Sequence, residues 1–384
     1  SSLDEPMRIL ALAVAFFSTA FLANATVYYI SSSSGNDLNN GTSPSTAWMT
    51  IDRLNQSTYS IVAGDHILFE RGGTYRGTVN VAAYGSAAAP VSIGAYGTGA
   101  TPLISGSMLV SGWSQYSGNI WMANIGAGQT VKYLYMNGQL MTLARYPNSG
   151  WLRNDQGTST SLHDDALTQP SGYWTGSTLV VRASNWNYDL ATVTGFSQGT
   201  LTFPTIYDLL GNDDWGYFLC NKLSELDQPG EWYYDPTSGM LYFEAPGNVD
   251  PSTATVEASV RDLGLQVFWH RSHVNISDLA FHHQNNACIN VQDADHVSID
   301  GCTFSDAYRG IVSVGNSNSY TNSTFDRTYG TALFALDDST TITGNEFMDV
   351  AMVPGLGESI WGYFGIRTSG SNIVVSGNRL EIIG

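Results

Sequence analysis

Three aspartates recur near one position of a repeated phrase in the last third of the chain. Asp306 and Asp349 each stand two residues after a phenylalanine, and Asp326 stands one residue after another. Hydrolysis of a glycosidic bond needs two carboxyl groups, one that donates a proton and one that attacks the sugar or activates water. These three aspartates are therefore the candidate catalytic residues, provided that the fold brings them to one surface.

Side chains that could bind a substrate occur beside these aspartates. Histidine and arginine can donate hydrogen bonds to a ligand, and aromatic rings can stack on flat apolar surfaces such as a sugar face. The candidates beside the aspartates are His282, His283, Arg309 and Arg327, and those in the segment after Asp349 are Glu358, Trp361 and Tyr363. Long loops in compact domains are often functional, which favours the segment at about 350–363.

Aspartate is also common in turns, where its side chain bonds to nearby backbone. The three aspartates could therefore be turn residues without a chemical role. A second set of polar residues supports this alternative, because it recurs before each following coil and is interpreted as mostly turn-forming. It comprises Asp293, Asp295, Asn316, Asn318, Asp337 and Asp338.

The elements that position these residues are indicated by an internal repeat. Its anchors are Phe281, Phe304, Phe325, Phe347 and Leu380, at spacings of 23, 21, 22 and 33 residues. Each repeat holds short stretches of alternating apolar and polar residues separated by turn formers, and no useful helical period appears. A period of this size with two or three short strands predicts one coil of a parallel β-helix, with the anchors as an interior aromatic stack.

Composition indicates an exported, turn-rich β protein. The chain has 384 residues with 15 basic and 33 acidic side chains, which argues against a nucleic-acid partner. Residues Met7 to Ala25 have the features of a secretory signal, so the mature protein is expected to be secreted, periplasmic or held at the cell surface. No second membrane segment follows, and we expect a monomer. The chain has three cysteines, and their spacing is not that of a metal site. We therefore interpret them as small buried side chains.

Changes in sequence texture divide the chain into four parts. Residues 1–25 hold the upstream residues and the signal, and residues 26–110 hold an N-terminal cap and the first coils. Residues 111–256 are rich in Trp and Tyr, lose the coil period and contain hairpin patterns, which predicts an inserted antiparallel β domain. Coils resume over 257–384 and stop in mid-coil, so we expect the sequence to be truncated at its C-terminal end.

Several phrases resemble secreted β-helix glycoside hydrolases of the fucosidase/xylanase and β-xylosidase types, within the pectate-lyase-like superfamily. They are YYISSSSGNDLNNGTSPSTAW from Tyr28, AGDHILFERGGTYRG from Ala63, YGTGATPLISG from Tyr96, LARYPNSGWL from Leu143 and GEWYYDPTSGMLYF from Gly230. The resemblance covers essentially the whole mature chain. It implies an all-β, right-handed parallel β-helix with an inserted β domain, a handedness that the rule for parallel crossovers also favours.

The expected activity is hydrolysis of a plant or algal polysaccharide, with no cofactor. Arg145, within the LARYPN phrase, could line the glycan cleft, although a structural ion pair that locks the inserted domain to the coils is the favoured interpretation. The spacing of the aspartates allows either a retaining or an inverting pair.

Two other functions fit the same scaffold. A polysaccharide lyase would use Arg309 or Arg327 as the base, with calcium possible between Asp326 and Asp349. A non-catalytic glycan-binding or surface protein would need no carboxylate cluster across a cleft. Unsaturated products and sensitivity to a chelator would identify the lyase, whereas Asp306→Asn and Asp349→Asn would leave a non-catalytic protein unchanged.

Overall fold

The chain forms a right-handed parallel β-helix, as predicted, in a computed structural model that describes residues 25–184, 187–209, 215–357 and 363–383. Residues 1–24, which hold nearly all of the predicted signal, lie outside the described residues. No helix within the described ranges is long and apolar enough to cross a membrane.

The first coils contain short strands and one helical cap. Helix α1 (Ile51–Gln56) begins at Thr50, whose side chain accepts a hydrogen bond from the Arg53 backbone N–H, and it buries Ile51 and Leu54 over the start of the stack. Short 3₁₀ turns span Pro44–Thr46 and Thr58–Ser60. The strands are β1 (Val27–Ile30), β2 (His66–Glu70), β3 (Thr74–Arg76), β4 (Val79–Val81), β5 (Val91–Tyr96) and β6 (Leu103–Ser105).

An inserted region of four small sheets separates these coils from the later ones, and all but one of its strand pairs are antiparallel. Further 3₁₀ turns span Leu223–Glu225, Pro246–Asn248 and Pro251–Thr253. Its strands are β7 (Ser107–Leu109), β8 (Ser114–Ser117), β9 (Ile120–Asn124), β10 (Leu134–Met136), β11 (Gln139–Leu140), β12 (Thr142–Leu143), β13 (Arg145–Tyr146), β14 (Gln156–Thr158), β15 (Ser161–His163), β16 (Thr178–Arg182), β17 (Tyr188–Thr192), β18 (Gly195–Ser197), β19 (Thr200–Thr202), β20 (Tyr217–Cys220), β21 (Glu231–Asp235), β22 (Met240–Glu244) and β23 (Val256–Ser259).

Most of the later coils consist of three short strands, and in one coil a single strand over Ala287–Asp300 takes the place of the first two. One sheet of seven strands carries the predicted anchors, and a sheet of thirteen strands supplies the other sides of each coil. The later strands are β24 (Leu263–Val267), β25 (Ser272–Ser277), β26 (Ala280–His282), β27 (Ala287–Asp300), β28 (Thr303–Ala307), β29 (Ile311–Asn316), β30 (Ser319–Thr321), β31 (Thr324–Thr328), β32 (Leu333–Asp338), β33 (Thr341–Thr343), β34 (Glu346–Val350), β35 (Ile366–Thr368), β36 (Val374–Ser376) and β37 (Arg379–Ile383).

The predicted aromatic stack forms the interior of the helix. Phe281, Phe304, Phe325 and Phe347 are fully buried, and successive ring centroids lie 5.6, 4.8 and 4.6 Å apart. Leu380 pairs with Phe347 in the same register, although its side chain is 49% exposed. Because every rung is in register, each residue after an anchor occupies the same place in its coil, which fixes the position of the aspartates.

All three cysteines are free and buried, as their sequence context predicts. Burial raises the pKa of the Cys302 thiol to about 12 and that of the Cys220 thiol to about 12. These thiols therefore behave as small apolar side chains rather than nucleophiles.

Candidate functional site

The candidate site lies at the corner where each strand of the seven-stranded sheet ends. The residue two positions after each anchor has a left-handed backbone, with φ of 66° at His283, 48° at Asp306, 50° at Arg327 and 50° at Asp349. A left-handed residue interrupts the alternation of a strand, so the two residues after the anchor can both lie outside the coil. Burial follows this pattern, since Asp306 and its predecessor are half-buried while Phe304 and Ala307 are buried.

Asp326 is offset by one residue from Asp306 and Asp349 in the register of the sheet, as it is in the sequence. Asp326 pairs with Ser305 on one side and Met348 on the other, so it lies in the outward column one residue before the corner. Arg327 occupies the corner position that Asp306 and Asp349 hold in their coils. The sequence pattern placed the aspartates at one turn and gave Arg327 a binding role or, in the lyase alternative, the role of the base. In the structure this arginine lies within the column of the aspartates.

Arg327 joins two of the candidate catalytic carboxylates. Its Nε and Nη2 atoms donate to Oδ1 and Oδ2 of Asp306, both at 2.9 Å, and its Nη1 atom donates to Oδ2 of Asp326. These contacts raise the pKa of Arg327, chiefly through the hydrogen bonds to Asp306. The guanidinium remains charged and acts as a donor, which makes it unsuited to the role of catalytic base.

The pKa of the Asp326 carboxyl is raised above its ordinary value. Its side chain is 21% exposed, and burial raises the pKa of its carboxyl. Arg327 opposes that shift, while repulsion from Asp306 and Asp349 adds to it. The same interactions place all three predicted aspartates in one electrostatic cluster, although only Asp306 and Asp326 share a hydrogen-bonding partner.

The inserted region contributes Tyr135 to this corner. The hydroxyl of this buried tyrosine donates to the main-chain carbonyl of Asp306 at 2.8 Å and lies 2.8 Å from the Tyr329 hydroxyl. The Tyr133 ring lies 4.6 Å from the Tyr329 ring, so a tyrosine cluster of Tyr133, Tyr135, Tyr308 and Tyr329 joins the inserted region to the coils. Sequence reasoning missed Tyr135, and its dense aromatic surroundings were the one available signal.

Two histidines from the predicted set form a stack beside the carboxylates. The rings of His282 and His283 lie 3.7 Å apart at 4°, and Tyr135 covers the far side of His283 at 3.7 Å. Burial lowers the pKa of His283 to about 2, with further contributions from His282 and Arg76, and burial also lowers the pKa of His282. Both rings are therefore neutral at ordinary pH.

The histidines and Glu257 have ligand atoms within 4.8 Å of one another, as a metal site would require. The two imidazole planes are parallel, however, so their in-plane lone pairs cannot converge on one ion. Arg76 also donates to Glu257 at 2.7 Å and places a positive charge at the same point. The arrangement therefore fits hydrogen bonding to a ligand better than it fits a bound cation.

The remaining predicted residues are distributed differently. Arg309 donates to Asn286 and to the Tyr308 hydroxyl at 3.3 and 3.2 Å and forms no salt bridge within the described ranges. The Tyr363 ring lies 5.9 Å from Tyr188 and is partly buried against the helix core. Glu358 and Trp361 lie outside the described residues.

Arg145 forms no ion pair with a described residue, in contrast to the structural ion pair that was the favoured interpretation. Its Nε and Nη2 atoms donate to the carbonyls of Pro147 and Gly150 at 2.9 and 2.7 Å, and its guanidinium packs on the Phe218 ring at 3.9 Å. These contacts all lie within the inserted region. Arg145 instead lines a cavity of about 630 Å³ between that region and the Val353–Leu356 segment.

Two members of the second polar set, Asn318 and Asp337, are buried inside the helix and are not exposed turn residues. Asp337 is fully buried and accepts hydrogen bonds from Tyr320 at 2.6 Å and from Ser313 at 2.9 Å. Asn318 is also buried and donates to the carbonyl of Ala294 at 3.0 Å. These residues form a polar network inside the helix.

Comparisons with known proteins support the fold. The family described as "Right handed beta helix region" matches residues 264–382. A solved structure described as "Glycoside hydrolase" has a TM-score of 0.64 at 16% identity, covering 84% of this chain and 78% of that chain. A search of curated proteins gives no significant match.

Two further solved structures resemble the chain at lower TM-scores. They are XylC in complex with xylose and the GH136 lacto-N-biosidase from Eubacterium ramulus, with TM-scores of 0.42 and 0.38 at 12% and 13% identity. The alignments cover 84% and 92% of this chain but 63% and 56% of those chains. This chain therefore spans less than two thirds of the length of either.

Proposed function

We propose that the protein is a secreted carbohydrate-active enzyme that hydrolyses glycosidic bonds of a plant or algal polysaccharide. The observation that carries the proposal is the pair of carboxylates, Asp306 and Asp326, joined by Arg327 on the outer surface of the coils. A neighbour of similar fold is described as a glycoside hydrolase, which supports this class of reaction by analogy.

In this mechanism Asp326 is the general acid and Asp306 the nucleophile. Asp326 has a raised pKa, so it can donate a proton to the glycosidic oxygen as that bond breaks. Asp306 accepts two hydrogen bonds from Arg327, which hold its carboxylate in one orientation for attack on the anomeric carbon. The resulting glycosyl ester is hydrolysed by water, whose proton returns to Asp326.

The distance between neighbouring coils favours retention of configuration. Asp306 and Asp326 lie on adjacent strands, and adjacent strands are about 4.8 Å apart. Retaining enzymes hold their carboxyl groups about 5–5.5 Å apart, whereas inverting enzymes leave a wider gap for water. His282 and Arg309, which are half-buried, would then contact the sugar, whereas His283 is buried between His282 and Tyr135 and supports the His282 ring.

The test is a polysaccharide screen with the full chain, followed by two variants. Asp306→Asn and Asp326→Asn should each lower kcat/KM by about 10²–10⁴-fold, as expected for loss of a catalytic acid or nucleophile. The matched control is Asp293→Asn, which removes an exposed carboxylate beside His270. Product stereochemistry read by NMR should show retention.

Different results would replace this proposal. Products with the ultraviolet absorbance of unsaturated sugars, together with loss of activity in a chelator, would identify a lyase. Full activity in both carboxylate variants would remove Asp306 and Asp326 from the chemistry. Glycan binding without any turnover, unchanged in both variants, would identify a non-catalytic binding protein.

A further inference from the structure

A second candidate binding site lies in the cavity between the inserted region and the segment that follows Asp349. Its volume is about 630 Å³, which is within the range of small-molecule sites. None of Asp306, Asp326 and Asp349 lines it. Tyr133 lines the cavity and also belongs to the tyrosine cluster, whose member Tyr135 donates to the Asp306 carbonyl.

Most of the cavity wall is apolar. Leu140, Leu143, Val180, Phe218 and Leu356 are among the side chains that line it. An apolar wall offers no hydrogen bonds to replace those that hydroxyl groups make with water, so burying a bare sugar there would cost free energy. An apolar group would instead gain free energy as it leaves water.

The charge of this wall differs from that of the whole chain. The chain carries a net charge of −18, yet no aspartate or glutamate occurs among the described residues that line the cavity. Lys132 and Arg145 both line it. Because Arg145 places a positive charge beside an apolar wall, the cavity favours a ligand that combines a negative charge with an apolar body.

Arg145 has the geometry to bind such a charge. Its Nε and Nη2 atoms are held by two carbonyls and its plane by the Phe218 ring, so the guanidinium is fixed in place. Its Nη1 atom donates no hydrogen bond to any described residue. A fixed guanidinium with a free donor binds a carboxylate with little loss of side-chain entropy.

Glu231 is the carboxyl group next to this arginine, but it does not satisfy the guanidinium. It accepts backbone N–H groups of Arg145 and Asp227 at 3.3 and 3.2 Å. Burial raises the pKa of Glu231 to about 7, so this group is only partly charged near neutral pH. The positive charge of Arg145 is therefore incompletely neutralised by its surroundings.

We propose that this cavity binds an amphipathic organic anion, with its carboxylate on Arg145 and its aromatic or branched apolar body against Phe218 and Leu356. The site is separate from the carboxylate cluster and does not depend on the proposed hydrolysis. An aryl or alkyl carboxylic acid, free or attached to a larger molecule, has the required chemistry.

Calorimetric titration of the full chain with three matched probes tests the ligand class. We expect saturable binding of 3-phenylpropionate, with weaker binding of 3-phenylpropanamide, which keeps the body and lacks the charge. Glucuronate, which keeps the charge on a polar body, should also bind more weakly. Equal binding of the amide, tighter binding of glucuronate or no saturable binding of 3-phenylpropionate would overturn the proposal.

Two variants locate the ligand. Arg145→Gln should weaken 3-phenylpropionate binding by about tenfold or more, because a hydrogen bond to a charged group is lost. The matched control is Lys222→Gln, which removes one positive charge from a residue outside the cavity wall. Val353→Trp fills the cavity from a residue that is 37% exposed, and it should abolish binding even if Arg145→Gln fails to fold. Unchanged affinity in Val353→Trp would overturn the location.

Discussion

The interior anchor position and the corner two residues later contrast within every coil. The anchor is phenylalanine in four successive coils and stacks on its neighbours without exposure to water. The corner holds histidine, aspartate, arginine and aspartate in the same four coils, all with a left-handed backbone. The backbone repeats at both positions, but the side chain repeats only where packing demands it. The repeat therefore fixes where the corner side chains lie, and the residue type at each corner determines their chemistry.

The largest change in stability is expected from a substitution at the interior anchor position. Phe325→Ala should reduce the free energy of unfolding by about 3–5 kcal/mol, because it leaves a cavity between Phe304 and Phe347. Chemical denaturation checks this value. Phe334→Ala is the matched control, since it removes a half-buried ring from the outer side of the helix and should cost much less. Equal losses in the two variants would contradict the importance of the stack.

At the corner, Arg327→Gln should change the pH dependence of activity more than it changes stability. Exposed ion pairs contribute about 0–1 kcal/mol, and Arg327 is 51% exposed, so stability should change little. The pKa of Asp326 should rise further when the arginine is lost, because Arg327 lowers it. The alkaline limb of the pH dependence of kcat/KM should then move to higher pH.

Arg379→Gln is the control for this change, because Arg379 makes a similar exposed bridge to Glu381 in the last coil. Its pH profile should match that of the unmodified chain. An unchanged profile in Arg327→Gln as well would show that Asp326 is not the titrating acid.

The buried His283 at the corner should make the stability of the protein depend on pH. The pKa of His283 is about 2 when folded and near 6.5 when unfolded, so the unfolded chain binds the extra proton between these values. Stability should therefore fall as pH decreases below about 6.5, by at most about 1.4 kcal/mol per pH unit from this group. Urea unfolding at pH 7 and at pH 5 measures the loss.

His283→Phe keeps a ring between Tyr135 and His282 and should flatten this dependence. His270→Gln changes a histidine whose side chain is 77% exposed and serves as the control. If the slope with pH stays the same in His283→Phe, the acid sensitivity has another source.

A small loss of stability is expected where the inserted region contacts the corner. Tyr135→Phe removes the hydrogen bonds to the Asp306 carbonyl and to Tyr329 but keeps the ring on His283. We expect a loss of about 0.5–1.5 kcal/mol in stability, measured by denaturation. Tyr59→Phe, at an 80% exposed position, should change nothing. A neutral result for Tyr135→Phe would mean that this hydroxyl does not help to fix the corner.

The sequence predicts the coils well because in-register packing imposes a period on it. The anchors repeat from Phe281 to Phe347 since each ring must fill the same interior place, and that constraint is visible without coordinates. The grouping of the aspartates follows from the same spacing. The roles within the group do not, because the left-handed corner breaks the alternation of the strand and lets the two residues after an anchor both lie outside the coil.

The repeat does not predict contacts between the inserted region and the coils. Tyr135 and Asp306 are 171 residues apart, and no periodic feature connects them. Arg145 was expected to pair with an acid, but its partners are backbone carbonyls, which any residue type provides. Patterns of residue type therefore locate strands more readily than they identify such partners.

The hydrogen bond from Tyr135 to Asp306 ends on a main-chain oxygen and not on the carboxylate. Any amino acid at position 306 that tolerates the left-handed backbone still presents that oxygen. The contact between the inserted region and the coils can therefore remain when the side chain at position 306 is substituted. This separation makes position 306 suitable for engineering new reactivity, because a library of substitutions there would test chemistry without undoing the docking of the two parts.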